Sequence, residues 1–276
     1  MLEALQLPFM QRAALEIALL APLAGVLGAQ IVLRHLAFFA HGVGAAAFPG
    51  LVLAGPVGIP PALAALGAGG IFTAGLERLG RRRGVALDAA TALVLVLALA
   101  GGIVLASDVY ESGSEVDQLL FGSLLAIGDG EIAATALALT VGVIAALHSR
   151  RAWLATGFDA VSSRSLGLRV RVADWLLLGS IAIAVVVSLD AVGALLVSAV
   201  LVIPAATARL FARSITQLEV GAASLAIVEG LVGLLIAYEL DVPPGAAIAT
   251  LGGLTFAACL IVREAPGVAA RGGAPR

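Results

Sequence analysis

The sequence predicts an all-α fold, a polytopic bundle of transmembrane helices, and three observations carry that prediction. Of the 276 residues, 61% are hydrophobic and only 12% charged, against about 25% charged in an ordinary soluble domain. So little polar side chain cannot cover a water-facing surface, and the solvent must be lipid. The apolar residues fall in runs of roughly 20, the length at which a helix crosses about 30 Å of hydrocarbon. Nor do they alternate with polar residues over about ten positions, as a membrane barrel requires. A helix also satisfies its own backbone hydrogen bonds, which lipid cannot do.

About nine spans follow in order, with eight as the competing count. The first covers 13–33. Its preceding MLEALQLPFMQR lacks a basic n-region, so the run is read as a span and not as a cleavable signal. The second, 37–55, holds Pro49 and a close pair of small residues, Ala46 and Gly50. The third, 60–79, opens after GPVGIPP and carries a stripe of Gly67, Gly70 and Ala74, the kind of surface on which helices approach closely in lipid. The fourth is 88–106, and an acidic stretch, SDVYESGSEVDQLLFGSLLAIGD, joins it to the fifth at 131–148. Within that stretch Leu119–Ile127 is apolar but too short to span, which makes it interfacial or re-entrant. The sixth to ninth spans are 172–189, 191–211, 217–238 and 244–262. Spans two and seven are interrupted by Pro and Gly, so one or both are read as broken helices.

Charge sorts the connections. Arg34 and His35 follow span one, and Arg78 and Arg81–Arg83 follow span three. Arg150, Arg151, Arg164, Arg169 and Arg171 lie between spans five and six; Arg209 and Arg213 follow span seven, and Arg263, Arg271 and Arg276 follow span nine. The alternate connections are acidic or uncharged. The positive-inside rule therefore puts every arginine-rich loop in the cytoplasm, the N-terminus outside and the C-terminus inside. Residues 1–276 read as a single transmembrane permease domain with one long cytoplasmic loop, 149–171. No P-loop of the GxxxxGK[ST] kind is present, so uphill transport must draw on an ion gradient or on another subunit. A net charge of −2 gives no indication of a nucleic-acid partner, and the single Cys259 allows neither an internal disulfide nor a thiolate metal cluster. The absence of HExxH, of Ser/His and of paired-Asp motifs within the spans argues against an intramembrane enzyme.

Ionisable residues inside a span are costly and usually face a cavity or a partner. Glu229, near the middle of span eight, is read either as a pathway ligand or as a protonated carboxyl bonded between helices. Glu16 lies early in span one, where it is expected to be solvated at the outer interface, and His148 and Asp190 flank spans as interfacial groups. Ser198 and Thr207 have hydroxyls able to bond the carbonyls of the preceding turn. Pro204 frees backbone carbonyls that can bend span seven or line a cavity. Asp108, Glu111, Glu115 and Asp117 either attract cations to the outer mouth or simply mark the non-basic side of the membrane. Phe158–Gly167 fits a short helix, with Asp159 near its start and Gly167 at its end; it is either a solvated loop or a docking element.

The stretch Val192–Arg213, VGALLVSAVLVIPAATARLFAR, resembles the signature of the permease subunits of bacterial zinc/manganese-type ABC importers. Similar segments fall in the expected order over nearly the whole chain: PFMQRAALEIALL, VLRHLAFF, AAAFPG, GVALDAATALVL, LLFGSLLAI, FDAVSSRSLGL and LDVPPGAAIATLGG. The resemblance implies a homodimeric pathway in the bacterial cytoplasmic membrane and a separate cytoplasmic ABC ATPase that binds and hydrolyses ATP. It also implies a periplasmic or lipid-anchored metal-binding protein outside, and a divalent metal (zinc, manganese or iron) as substrate, with no cofactor bound by this chain. The coupling element corresponds to Phe158, Asp159, Ser165, Leu166 and Gly167. One departure stands out: where the family carries an aspartate and, four residues later, a histidine on span two, this chain has His41 and Ala45. The resemblance thus implies a pathway along His41, Ser198 and Pro204, with His41 and Glu229 as candidate metal contacts, Glu229 standing in for the lost carboxylate. An ion-coupled secondary transporter using Glu229, and an ABC permease for a metal chelate, are the competing readings.

Overall fold

The computed structural model describes residues 6–80, 87–109, 120, 122–158, 170–194 and 196–264. Among them there is no strand, and ten α-helices account for the chain. They are α1 Pro8–Leu33, α2 Ala37–Val57, α3 Pro61–Gly80, α4 Leu87–Val109, α5 Asp129–Phe158, α6 Val170–Val187, α7 Leu189–Val192, α8 Val197–Arg209, α9 Ile215–Leu240 and α10 Pro244–Glu264. Seven are long and apolar enough to cross a membrane, and Pro61–Leu76 and Val197–Arg209 are shorter apolar helices. Seven of the apolar runs expected from sequence fall on these long helices; the third falls on the shorter Pro61–Leu76, and the seventh is divided between α7 and α8.

Proline and glycine act differently in the two interrupted runs. The α2 helix is continuous through Pro49 and Pro56, so the expectation of a break there is not met. Helices tolerate proline in membranes when neighbours compensate the freed carbonyl. Close packing holds α2 in place: a Cβ on Gly50 would sit 2.6 Å from the Ala64 carbonyl oxygen of α3. The seventh run does break. Gly193 takes a φ of +88° between α7 and α8, a backbone conformation that residues with a Cβ avoid, and the two helices separate there.

The α1 helix is the spine of the bundle, packing along α9, α8 and α5, while α2 lies among α3, α4 and α6. The α8 helix joins the two groups through α1, α2, α9 and α10. Met10, Leu23, Leu27, Phe48, Trp153, Leu177, Ile181 and Leu201 are fully buried. Large apolar side chains on α4 (Leu93, Val96, Leu97), α5 (Leu137, Ile144, Leu147) and α10 (Leu254, Ile261) stay exposed, as expected where lipid tails are as apolar as leucine. The stripe on α3 does not seat a helix of the same chain: a Cβ on Gly67 or Gly70 would meet nothing within 4 Å.

Ahead of α5, Leu124–Ala126 forms a single 3₁₀ turn, with Leu124 and Ile127 buried. It is tied down by the Ser123 amide, which donates to the Asp190 carbonyl at 2.9 Å. At the opposite end of the bundle α5 continues to Phe158 and α6 begins at Val170. The expected 149–171 loop is therefore helical at both ends. Hydropathy measures membrane thickness, and α5 carries Arg150 and Arg151 beyond that limit. Asp159, Ser165, Leu166 and Gly167 lie outside the described residues, as do Glu111, Glu115 and Asp117.

Candidate transport pathway

Gly44 lets α2 come close to the start of α8. A Cβ there would stand 3.0 Å from Val197 Cγ1 and 3.1 Å from the Ala194 carbonyl oxygen, so any larger residue would hold the helices apart. One turn before Gly44, the half-buried His41 projects from the same helix, and its Nδ1 lies 2.8 Å from Ser198 Oγ in the first turn of α8. Two residues singled out separately in the sequence, 157 positions apart, thus meet. The bond occupies Nδ1 and leaves Nε2 as the ring nitrogen free for a ligand. For Nε2 to offer a lone pair, Nδ1–H must donate and the Ser198 hydroxyl must accept.

Thr207 does what was expected of both hydroxyls, donating to the Ile203 carbonyl at 2.9 Å within its own helix. Ser198 instead makes a contact between helices.

Glu229 sits on α9, 3% exposed, with Oε1 buried and without a hydrogen-bond partner. It lines a narrow, largely apolar cleft with Ala199, Val200, Ile203 and Pro204 of α8 and with Ile248 and Gly252 of α10. Gly252 makes room for it: a Cβ at that position would lie 3.1 Å from Glu229 Oε2. Pro204 and Glu229 therefore share a recess. His41 and Glu229 do not. Ser198 and Val200 are two residues apart on α8, about 200° around a helix, so the imidazole and the carboxylate flank opposite faces of the same turn. Among the described residues no three His, Cys, Asp or Glu side chains are placed to hold a metal ion together.

The sequence reading misplaced Glu16. Instead of being solvated, it is 1% exposed. Its Oε1 accepts a 2.5 Å hydrogen bond from Thr135 Oγ1 of α5, and Oε2 has no partner. His148 and Asp190 are exposed, as expected. A second site missed by the sequence lies at the end of α1, where Arg34 pairs with Asp174 of α6 at 2.8 Å.

Residues 6–263 match the ABC 3 transport family. The manganese import system permease protein ScaB of Streptococcus parasanguinis is 29% identical over 252 residues, which cover 91% of this chain and 89% of that one. The chelated iron transport system membrane protein YfeD of Yersinia pestis is 30% identical over 254 residues, 92% of this chain and 85% of that one. In the solved structure of PsaBC from Streptococcus pneumoniae in complex with Fab, one chain superposes with a TM-score of 0.86 at 25% identity, covering 97% of this chain and 96% of that one. A family match over nearly every residue, a shared bundle and relatives of similar length lead to one conclusion: this chain belongs to the ABC 3 transport family.

Proposed function

We propose that this chain is the membrane-spanning subunit of an ATP-driven importer of a divalent transition-metal ion, with zinc or manganese as first candidates and iron as the third. Two copies form the pathway, a separate cytoplasmic ATPase hydrolyses ATP, and an external metal-binding protein delivers the ion. The observation that carries the reading is the His41–Ser198 hydrogen bond, which holds an imidazole inside the bundle with one nitrogen free. Imidazole suits zinc and iron, the carboxylate of Glu229 suits manganese, and fixing the other ring nitrogen is how such imidazole ligands are oriented. Family membership and the manganese and iron transport named for the relatives support the class. They set aside an ion-coupled secondary transporter.

Nine crossings, counting the shorter α3 and α8, leave the N-terminus outside and the C-terminus in the cytoplasm of the cell that bears this membrane. Glu229 and Pro204 line a second recess, on the far side of α8, through which the same ion passes. The segment from Phe158 to Gly167 docks the ATPase, whose binding and hydrolysis of ATP shift the bundle between outward- and inward-facing states.

The test is uptake of a panel of radiolabelled divalent metals into proteoliposomes holding the permease with its ATPase and binding protein. ATP-dependent uptake of one metal, lost in His41→Ala, is the expected result. A complex that assembles and hydrolyses ATP yet takes up no metal would refute the assignment and favour a chelate as substrate.

A further inference from the structure

The two helix ends that flank residues 159–169 are locked to each other and to a third element. Arg34, the first residue after α1, sends Nη1 to Asp174 Oδ1 of α6 at 2.8 Å. Its Nη2 donates to the Trp153 carbonyl of α5 at 3.0 Å and also to the Thr156 hydroxyl. A fourth bond closes the block, from Trp153 Nε1 to the Ala173 carbonyl at 2.7 Å. The indole is fully buried, and the arginine side chain is only 13% exposed. Arg34 and the left-handed His35, at φ +57°, form the turn into α2, and His41 follows on the second turn of that helix.

We infer that Arg34 is the positioning residue that couples the two cytoplasmic stems to the metal pathway. It ties the end of α5 and the start of α6 to the α1–α2 turn that carries His41. The inference rests on the proposed reading that the segment between those stems docks the ATPase. A displacement of the stems then travels through a planar guanidinium to the root of α2, and from there to the His41–Ser198 bond. The chemistry suits the task. One fork engages a carboxylate with one nitrogen and a carbonyl and hydroxyl with the other, so the three elements move as one body. A lysine ammonium can keep the carboxylate but not the whole fork.

The experiment uses the complete transporter in proteoliposomes and measures metal uptake and ATP hydrolysis together, per assembled complex. In Arg34→Gln, hydrolysis is expected to stay near the wild-type rate while metal imported per ATP falls roughly tenfold, the equivalent of one lost charge-assisted hydrogen bond. Asp174→Asn and Arg34→Lys should give smaller falls of the same kind. If uptake and hydrolysis decline in proportion, Arg34 is a structural strut and the inference is overturned. An unchanged ratio in all three variants overturns it as well. Should Arg34→Gln fail to assemble, the same ratio in Arg34→Lys decides. Absence of ATP-dependent uptake by the wild type would overturn the transport reading along with this one, whereas an unchanged ratio in an active transporter overturns this one alone.

Discussion

The closest approaches of α1 to its neighbours rest on two glycines, and adding one methyl group tests whether the bundle depends on them. At Gly25 a Cβ would lie 2.6 Å from the Glu219 carbonyl oxygen, 2.9 Å from Ala223 Cβ and 3.3 Å from the Ala223 amide nitrogen, all on α9. Ordinary contact begins near 3.4 Å. The nearest obstacle is backbone and cannot swing away, so Gly25→Ala must drive α1 and α9 apart by roughly 0.8 Å, a gap that forfeits about a quarter to a half of each contact's attraction. Helices in lipid are held largely by such packing, and overpacking of this kind costs about 1–3 kcal/mol. Gly67→Ala is the control, because its Cβ would meet nothing within 4 Å and alanine favours the helix by up to about 1 kcal/mol. The assay is the midpoint of unfolding of the purified permease in lipid micelles titrated with denaturing detergent. Gly25→Ala is expected below wild type and Gly67→Ala at or above it. Equal midpoints would refute the reasoning. Gly28→Ala extends the test to function. Its Cβ would run into the Leu201 carbonyl and come within 3.1 Å of Ala205 Cβ, pushing away the helix that presents Ser198 one turn from Leu201. Metal uptake per folded molecule should fall in that variant and not in Gly67→Ala.

Ser198→Ala should weaken apparent affinity for the transported metal by about 10–100-fold, as losing an outer partner of a ligating histidine does; the concentration dependence of uptake reads this directly, and an unchanged curve means the bond does not orient His41. Glu229→Gln replaces a carboxyl in an apolar cleft with an uncharged amide that is cheaper to bury. It should fold at least as well as wild type while lowering uptake, and unchanged uptake removes Glu229 from the pathway. Thr135→Val leaves both oxygens of the buried Glu16 without a partner and should cost about 1–3 kcal/mol. The cost should shrink when Glu16→Leu is added, which removes the acceptor, and a double-mutant cycle showing no such coupling contradicts the contact.

Much of this architecture is legible in the chain, because a lipid solvent makes hydropathy a near-direct measure of helices. Seven of the apolar runs return as helices long enough to span, and the break at Gly193 is visible as a glycine ahead of a proline-bearing run. His41 and Ser198 were both visible as polar residues in apolar surroundings, but their hydrogen bond was not, since nothing local encodes a contact across 157 positions. Glu16 was misplaced for a related reason. Distance from the end of a span suggests solvent, but the bundle closes over that position through Thr135, 119 residues away. The end of α5 was misjudged because a helix can outlast the membrane; its last turns bear Arg150, Arg151 and Thr156 and are held by Arg34 and not by lipid. In each case the missing information is tertiary, a partner supplied by another helix.

On the proposed reading, the sparse donor set suits passage of an ion better than its storage. On that same reading, one subunit offers His41 Nε2, oriented by Ser198, and across α8 the carboxylate of Glu229; the described residues hold no cluster of three ligating side chains. A resident structural or catalytic metal would require three or four protein ligands converging on one point. A transported ion needs the opposite, contacts strong enough to replace part of its hydration and weak enough to release it. Placing the imidazole and the carboxylate on opposite faces of one short helix keeps them from gripping the same ion within a subunit. The helix that separates them is bounded by the Gly193 break at one end and, at the other, by Arg209, whose guanidinium donates to the Val32 carbonyl at 2.9 Å near the end of α1. Two residues on lies Arg34, at the α1–α2 turn. On the proposed reading, α8 and the root of α2 therefore move with the same cytoplasmic anchor, and the two recesses change together when the stems of the ATPase-docking segment shift.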